Sequence, residues 1–301
     1  MEQLLSLAFD NLSSYDGPKI RKGLRQVEGL LANICLSRGH GGKDRRASSV
    51  GKDPDTDEHE PLPPKSLDEI TDDPAFYEFF KLQEGFEWNV AMRLVNTLDR
   101  LLATGSDGSN DLLILSALDL VQGAMLLHPP SKSLFSRELY MNLLLDLLEP
   151  DFCPAIQSAT IVTLVTALID TPRNTRTFEN LDGLLTITSL FRNRCTSRDV
   201  KLKLIEFLYF YLMPETPSIP SARAAQDPQL PGLLQRSPSK LAKAFSFGAS
   251  KGADSGRPRS AGDGETRTQE EKQALLGRHL NSVQELVEDL RQNTPFGGVV
   301  G

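Results

Sequence analysis

Cysteine is scarce in this chain and long apolar runs are missing. Its three cysteines, Cys35, Cys153 and Cys195, are odd in number and far apart, so neither a disulfide framework nor a metal knuckle is indicated. A reducing compartment is the natural expectation. None of the three opens a C-x5-R loop, because the matching downstream residues are Gly41, Ala159 and Lys201. That excludes cysteine-phosphatase chemistry, which needs both the thiolate and the arginine. His40, His59, His128 and His279 are scattered without a His-x-x-x-His pair, and no glycine-rich phosphate loop leads into Lys-Ser or Lys-Thr. No catalytic, metal or cofactor-binding residue is therefore nominated, and no cofactor is expected. No stretch reaches about 18 continuous apolar residues, so no membrane span is expected. Glu2 stands where a secretory signal would carry positive charge. A formal net charge of -7 disfavours general nucleic-acid binding.

What the sequence has in abundance is helical periodicity. Glu2 to Leu12 places Leu5, Ala8, Phe9 and Leu12 on one face, and Asp16-Gly17-Pro18 reads as a cap and first turn. From there Ile20, Leu24, Val27, Leu31 and Ile34 recur at steps of four and three. Phe76, Tyr77, Phe79 and Phe80 mark a short aromatic helix, and a longer one carries Phe86, Trp88, Met92, Val95, Leu98 and Leu102. Leu112 to Leu127 is almost wholly apolar. The next expected helix, Phe135 to Leu148, shows Leu139, Leu143 and Leu147 on one side. Between Pro154 and Pro172, Ile161, Val162, Thr163, Val165 and Thr166 favour strands individually. The segment's length and the helical steps of Ile156, Ala159, Val162, Thr166 and Ile169 decide for helix. The fold class is thus all-α, an armadillo/HEAT-like α-solenoid with irregular repeats.

Two segments cannot bury enough apolar surface to order themselves. Residues 39–73 carry ten acidic and five basic side chains and read as a disordered insertion; residues 218–267 read as a low-complexity linker. Asp72 and Asp73, beside a helix start, suit capping better than acid-base catalysis. Ser48, Ser49 and Ser260 follow basic residues in the pattern of basic-directed phosphorylation candidates, and Ser237 before Pro238 is a proline-directed one. Leu241 to Phe247 is short, basic and amphipathic, and reads either as a weak docking peptide or as incidental hydrophobics.

The run from Asn174 to Glu215 reads as two stacked helices ending in one whose apolar residues cover most of its circumference. Such a helix is normally sandwiched, which would put it at the centre of the stack. The groups expected to face a partner are Asn174, Arg176, Arg192, Arg194, Lys203, Glu206, Tyr209 and Tyr211, against a structural alternative of capping and a solvated basic edge. After the linker, Thr268 and Glu271 form a capping box. Leu276, Leu280, Val283, Val287 and Leu290 then repeat along an amphipathic helix over residues 268–293. It either seals the helical domain, residues 1–217, or adds to a partner surface.

Asn174, Arg176, Phe178 and Gly183, followed by KLKLIEFLYFYLMPETP and a detached helix from EEKQALLGRHL to NTPFGG, resemble the fungal cell division control protein 14 family. That septation initiation network component is distinct from the phosphatase of similar name. The resemblance implies a non-catalytic armadillo-like protein that binds and supports a sterile-20-like (germinal-centre) kinase in septation and cytokinesis. It also implies spindle pole body scaffold proteins as neighbours, and a cytoplasmic chain that gathers at the spindle pole body during mitosis and septation. A structural tether that leaves kinase activity unchanged is the alternative.

Overall fold

A computed structural model of the chain describes residues 1–36, 63–103, 108–215 and 266–281. Twelve α-helices are described: α1 (Glu2–Leu12), α2 (Gly17–Cys35), α3 (Leu67–Thr71), α4 (Pro74–Gln83), α5 (Val90–Ala103), α6 (Asp111–Leu127), α7 (Glu138–Asp146), α8 (Pro154–Leu168), α9 (Pro172–Asn180), α10 (Gly183–Arg192), α11 (Arg198–Leu212) and α12 (Gln269–Gly277). A 3-10 segment, Pro129–Ser136, precedes α7. Among the described residues the only β pairing is an isolated bridge, Leu36 to Pro64. The fold is all-α.

Prolines open α2, α4, α8 and α9, where a missing amide hydrogen leaves no bond unmade. Helix α2 packs on α1 and α6, α6 on α5 and α8, and α8 on α11. Those four, α2, α6, α8 and α11, lie side by side, while shorter helices of unequal number and length connect them. Helices α6 and α8 have neighbours on several sides, which explains sequences too apolar for a single stripe. In α8 the hydroxyls of Thr160, Thr163 and Thr166 donate to the carbonyls of Ile156, Ala159 and Val162 at 2.8, 2.9 and 3.0 Å. Those bonds let polar β-branched residues lie in a buried helix.

Several expectations need correction. Residues 63–73 are ordered: Ser66 and Glu69 form a capping box on α3, and Asp73 caps α4 through Ala75 N at 2.8 Å. Helix α5 begins at Val90, leaving Phe86 74% exposed. The Phe135–Leu148 helix is divided, with a 3-10 turn before α7, and Leu139 points to solvent. Asn174 to Glu215 contains three helices rather than two. Helix α11 is the last of its row and not its centre; Val200, Leu204, Phe207, Leu208, Tyr211 and Leu212 are buried, but Leu202 is 49% exposed.

His128 is enclosed at the end of α6. Its Nδ1 lies 2.8 Å from Ser131 Oγ, which accepts from Asn89 Nδ2 at 2.9 Å, and its ring meets Phe80 edge-on. Burial pulls its pKa down from 6.5 to about 4, so the imidazole is neutral at neutral pH. A base whose folded pKa is depressed contributes stability above its unfolded pKa and loses it as pH falls through 6.5 toward 4. Urea titrations should show the wild type losing about 2 kcal/mol through this group by about pH 5. His128→Gln should lack that portion, and equal acid losses in both proteins would refute it.

Candidate functional site

Charges converge where the carboxy-terminal segment returns to the helical body. Arg176 and Glu179 lie three positions apart on α9, so they share a face, and the Arg176 Nη2 to Glu179 Oε1 distance is 3.2 Å. Arg176 also pairs closely with Glu215, just beyond α11. Glu215 receives Lys272 Nζ of α12 at 3.1 Å and the backbone N–H of Arg267 at 2.9 Å. Arg267 Nη1 stands 2.9 Å from Glu179 Oε2, a close ion pair without the alignment of a hydrogen bond. Tyr211 donates its hydroxyl to Glu179 Oε1 at 2.6 Å.

These groups are largely shut off from water. The side chains of Glu179, Glu215 and Lys272 are 5 to 6% exposed. Burial, with the Glu179 hydrogen bond and charge behind it, drives the Tyr211 phenol far above its ordinary value. Burial lowers the Lys272 amine, opposed by Glu215. Lys272 adds a hydrogen bond to Met213 O at 3.1 Å and lies 5.2 Å from the Tyr211 ring centroid. The result is a clasp joining α9, the end of α11 and the start of α12. Chemically it can hold or release a segment; it offers no nucleophile paired with a base. Among the described residues no group of three or more His, Cys, Asp or Glu is placed to hold a metal, and no helix is long and apolar enough to cross a membrane.

The residues expected to face a partner divide sharply. Asn174 is fully buried, donating to Lys132 O and Ala167 O at 2.7 Å each, so it braces three segments from within. Tyr211 is 1% exposed, inside the clasp with Arg176. The Asn174 amide N–H groups and the Tyr211 hydroxyl thus have their partners inside the fold. Phe178 packs against Phe207 with ring centroids 5.6 Å apart, and a Cβ on Gly183 would lie 2.2 Å from the Phe178 ring. Glycine is thus required there. Arg192 and Arg194 are exposed, Arg192 reaching the carbonyl of His279. Lys203 pairs with Glu206 at 2.7 Å on the open side of α11, and Tyr209 is half-buried.

Thr268 and Glu271 form the expected capping box, and Leu276 and Leu280 are buried where α12 meets α11. Val283, Val287, Leu290, Ser48, Ser49, Ser237, Ser260 and the Leu241–Phe247 fragment lie outside the described residues. Sequence reasoning missed Glu179, Glu215, Arg267 and Lys272. Only the spacing of Arg176 and Glu179 signalled any of this.

The described residues form an all-helical body with a clasped carboxy-terminal helix. The family model for cell division control protein 14, SIN component, matches residues 1–296, and the chain belongs to that family. A relative, cell division control protein 14 of Schizosaccharomyces pombe, is 27% identical over 305 residues, spanning 99% of this chain and 97% of its own length. No solved structure matches the chain. The protein is a non-enzymatic component of the septation initiation network, distinct from the phosphatase of similar name, with a role in regulating cytokinesis.

Two predictions test the clasp. Glu215→Gln leaves Arg176 and Lys272 buried against a neutral group and should destabilise the protein by about 3 kcal/mol in urea unfolding. Pairing it with Lys272→Met should lose less than the sum of the single changes, whereas strict additivity would show that the two do not interact. Separately, Glu215 and Arg267 already touch, so replacing residues 216–265 by about five Gly/Ser residues should leave the melting midpoint equal or higher. A fall of the midpoint would mean that the excised stretch supports the body.

Proposed function

We propose that the chain is an irregular armadillo-like scaffold that binds a sterile-20-like (germinal-centre) kinase of the septation initiation network and supports its activity in septum formation. It would act in the cytoplasm and at the spindle pole body, alongside scaffold proteins there. Family membership supports the network, and the row α2, α6, α8 and α11 supports the solenoid-like arrangement.

The exposed apolar edge of α11 carries the reading most directly. Leu202 and Met213 are 49 and 41% exposed, with the Lys203–Glu206 pair between them and Ile169 exposed at the end of neighbouring α8. Apolar side chains ringed by charges suit a protein partner, whose affinity comes from a few desolvated anchors within a polar rim. Positions already in solvent contribute little to folding.

Leu202→Asp with Met213→Asp should therefore leave the melting midpoint within about 2 °C while weakening the purified kinase complex at least about tenfold. Unchanged affinity would remove this surface from the contact. With the wild-type complex, higher kinase turnover at saturating kinase and substrate marks a regulatory subunit. Unchanged turnover with intact binding marks a tether.

A further inference from the structure

The first half of α2 carries Lys19, Arg21, Lys22 and Arg25, all exposed and unpaired among the described residues. Beside them runs a groove of about 370 Å³ between α2 and α6. Arg21 and Arg25 line it toward the start of α2, and Glu28 and Asp119 line it further along. Leu115 lies in its wall, and Leu112, 72% exposed, stands at its lip. The helical rise separates Arg21 from Glu28 by about 10 Å along the axis. None of these four charges has an ion-pair partner among the described residues. Partial burial and the neighbouring Glu28 carboxylate raise the Asp119 pKa, so the two acids repel with no cation between them.

Polarised charge and an open apolar wall in one inter-helix groove specify what fits. We propose that the α2–α6 groove docks an amphipathic helical segment of a partner protein. Its apolar side chain packs on Leu112 and Leu115, an acidic residue meets Arg21 and Arg25, and a basic residue about two helical turns on sits between Glu28 and Asp119. Two turns bring the acid and base onto one face of the incoming helix, matching the run from Arg21 to Glu28. An apolar face laid in a groove supplies affinity, and charge order fixes its direction. This surface is separate from the α11 edge, so its failure would leave the kinase-binding reading standing, and the reverse also holds.

The probes are two Ala-based peptides of about 15 residues, long enough to hold some helix in water, with Glu, Leu and Lys at steps of about three and four. One has that order and the other exchanges Glu and Lys. Fluorescence anisotropy with the full chain should show the first peptide binding at least about tenfold more tightly than the second. In a chain carrying Arg21→Glu, Arg25→Glu, Glu28→Lys and Asp119→Lys the preference should invert. All four positions are exposed, and a melt of the variant verifies its fold. Equal binding of both peptides, no binding of either up to ~1 mM, or an unchanged preference in the folded variant would overturn the proposal.

Discussion

A carboxylate sealed from water without a cation forfeits several kcal/mol of hydration, so the nearly buried Glu215 is tenable only because Arg176, Lys272 and the Arg267 N–H converge on it. Arg176 comes from α9, while Arg267 and Lys272 both come from the carboxy-terminal segment. Their meeting fixes where α12 begins, which face it turns to α11, and where the stretch after Glu215 must return. Buried ion pairs of this kind add little net stability over a well-packed apolar substitute. What they add is uniqueness of position, since sliding α12 by one turn, about 5.4 Å, would carry Lys272 away from Glu215. The bonds of Lys272 to both Glu215 and Met213 O make that register specific.

The amino-terminal half solves a related problem with weaker means. The end of α2 meets the residues before α3 at the Leu36–Pro64 bridge, where Lys65 N donates to Cys35 O at 2.8 Å. Lys65 Nζ then donates to Ile34 O at 3.0 Å and pairs with Asp73. A cation at the end of α2 meets the negative end of the helix dipole, and the same cation ties α2 to the cap of α4. In both places a lysine joins parts of the body that lie far apart in sequence.

Local sequence reveals local physics, and here it does so well. The Asp16-Gly17-Pro18 start of α2 and the burial of Ile20, Leu24, Val27, Leu31 and Ile34 follow from period and proline geometry alone. The helical state of α8 was also readable, because length and step outweigh the strand preference of its threonines. What local sequence does not contain is the number of neighbours. Helix α11 is apolar enough to be surrounded, yet its place at the end of the row leaves Leu202 in solvent. Asn174 and Tyr211 show the same limit for polar groups, because an amide or phenol suits a surface or a satisfied interior equally well. The choice is made by partners such as Lys132 O and Glu179, which are distant in sequence.

The residues that most strongly carried the family resemblance turn out to be structural. Asn174 braces, Arg176 clasps, Phe178 fills and Gly183 makes room for the ring. A motif of this kind preserves a shape, and a shape can be shared while its surfaces differ. The surfaces proposed to meet partners, around Leu202 and Met213 on α11 and around Arg21 and Leu112 beside α2, lie instead on exposed positions. Because these positions contribute little to folding, they can vary without disturbing the clasp. Under those proposals recognition and stability fall to different residues of the same helices.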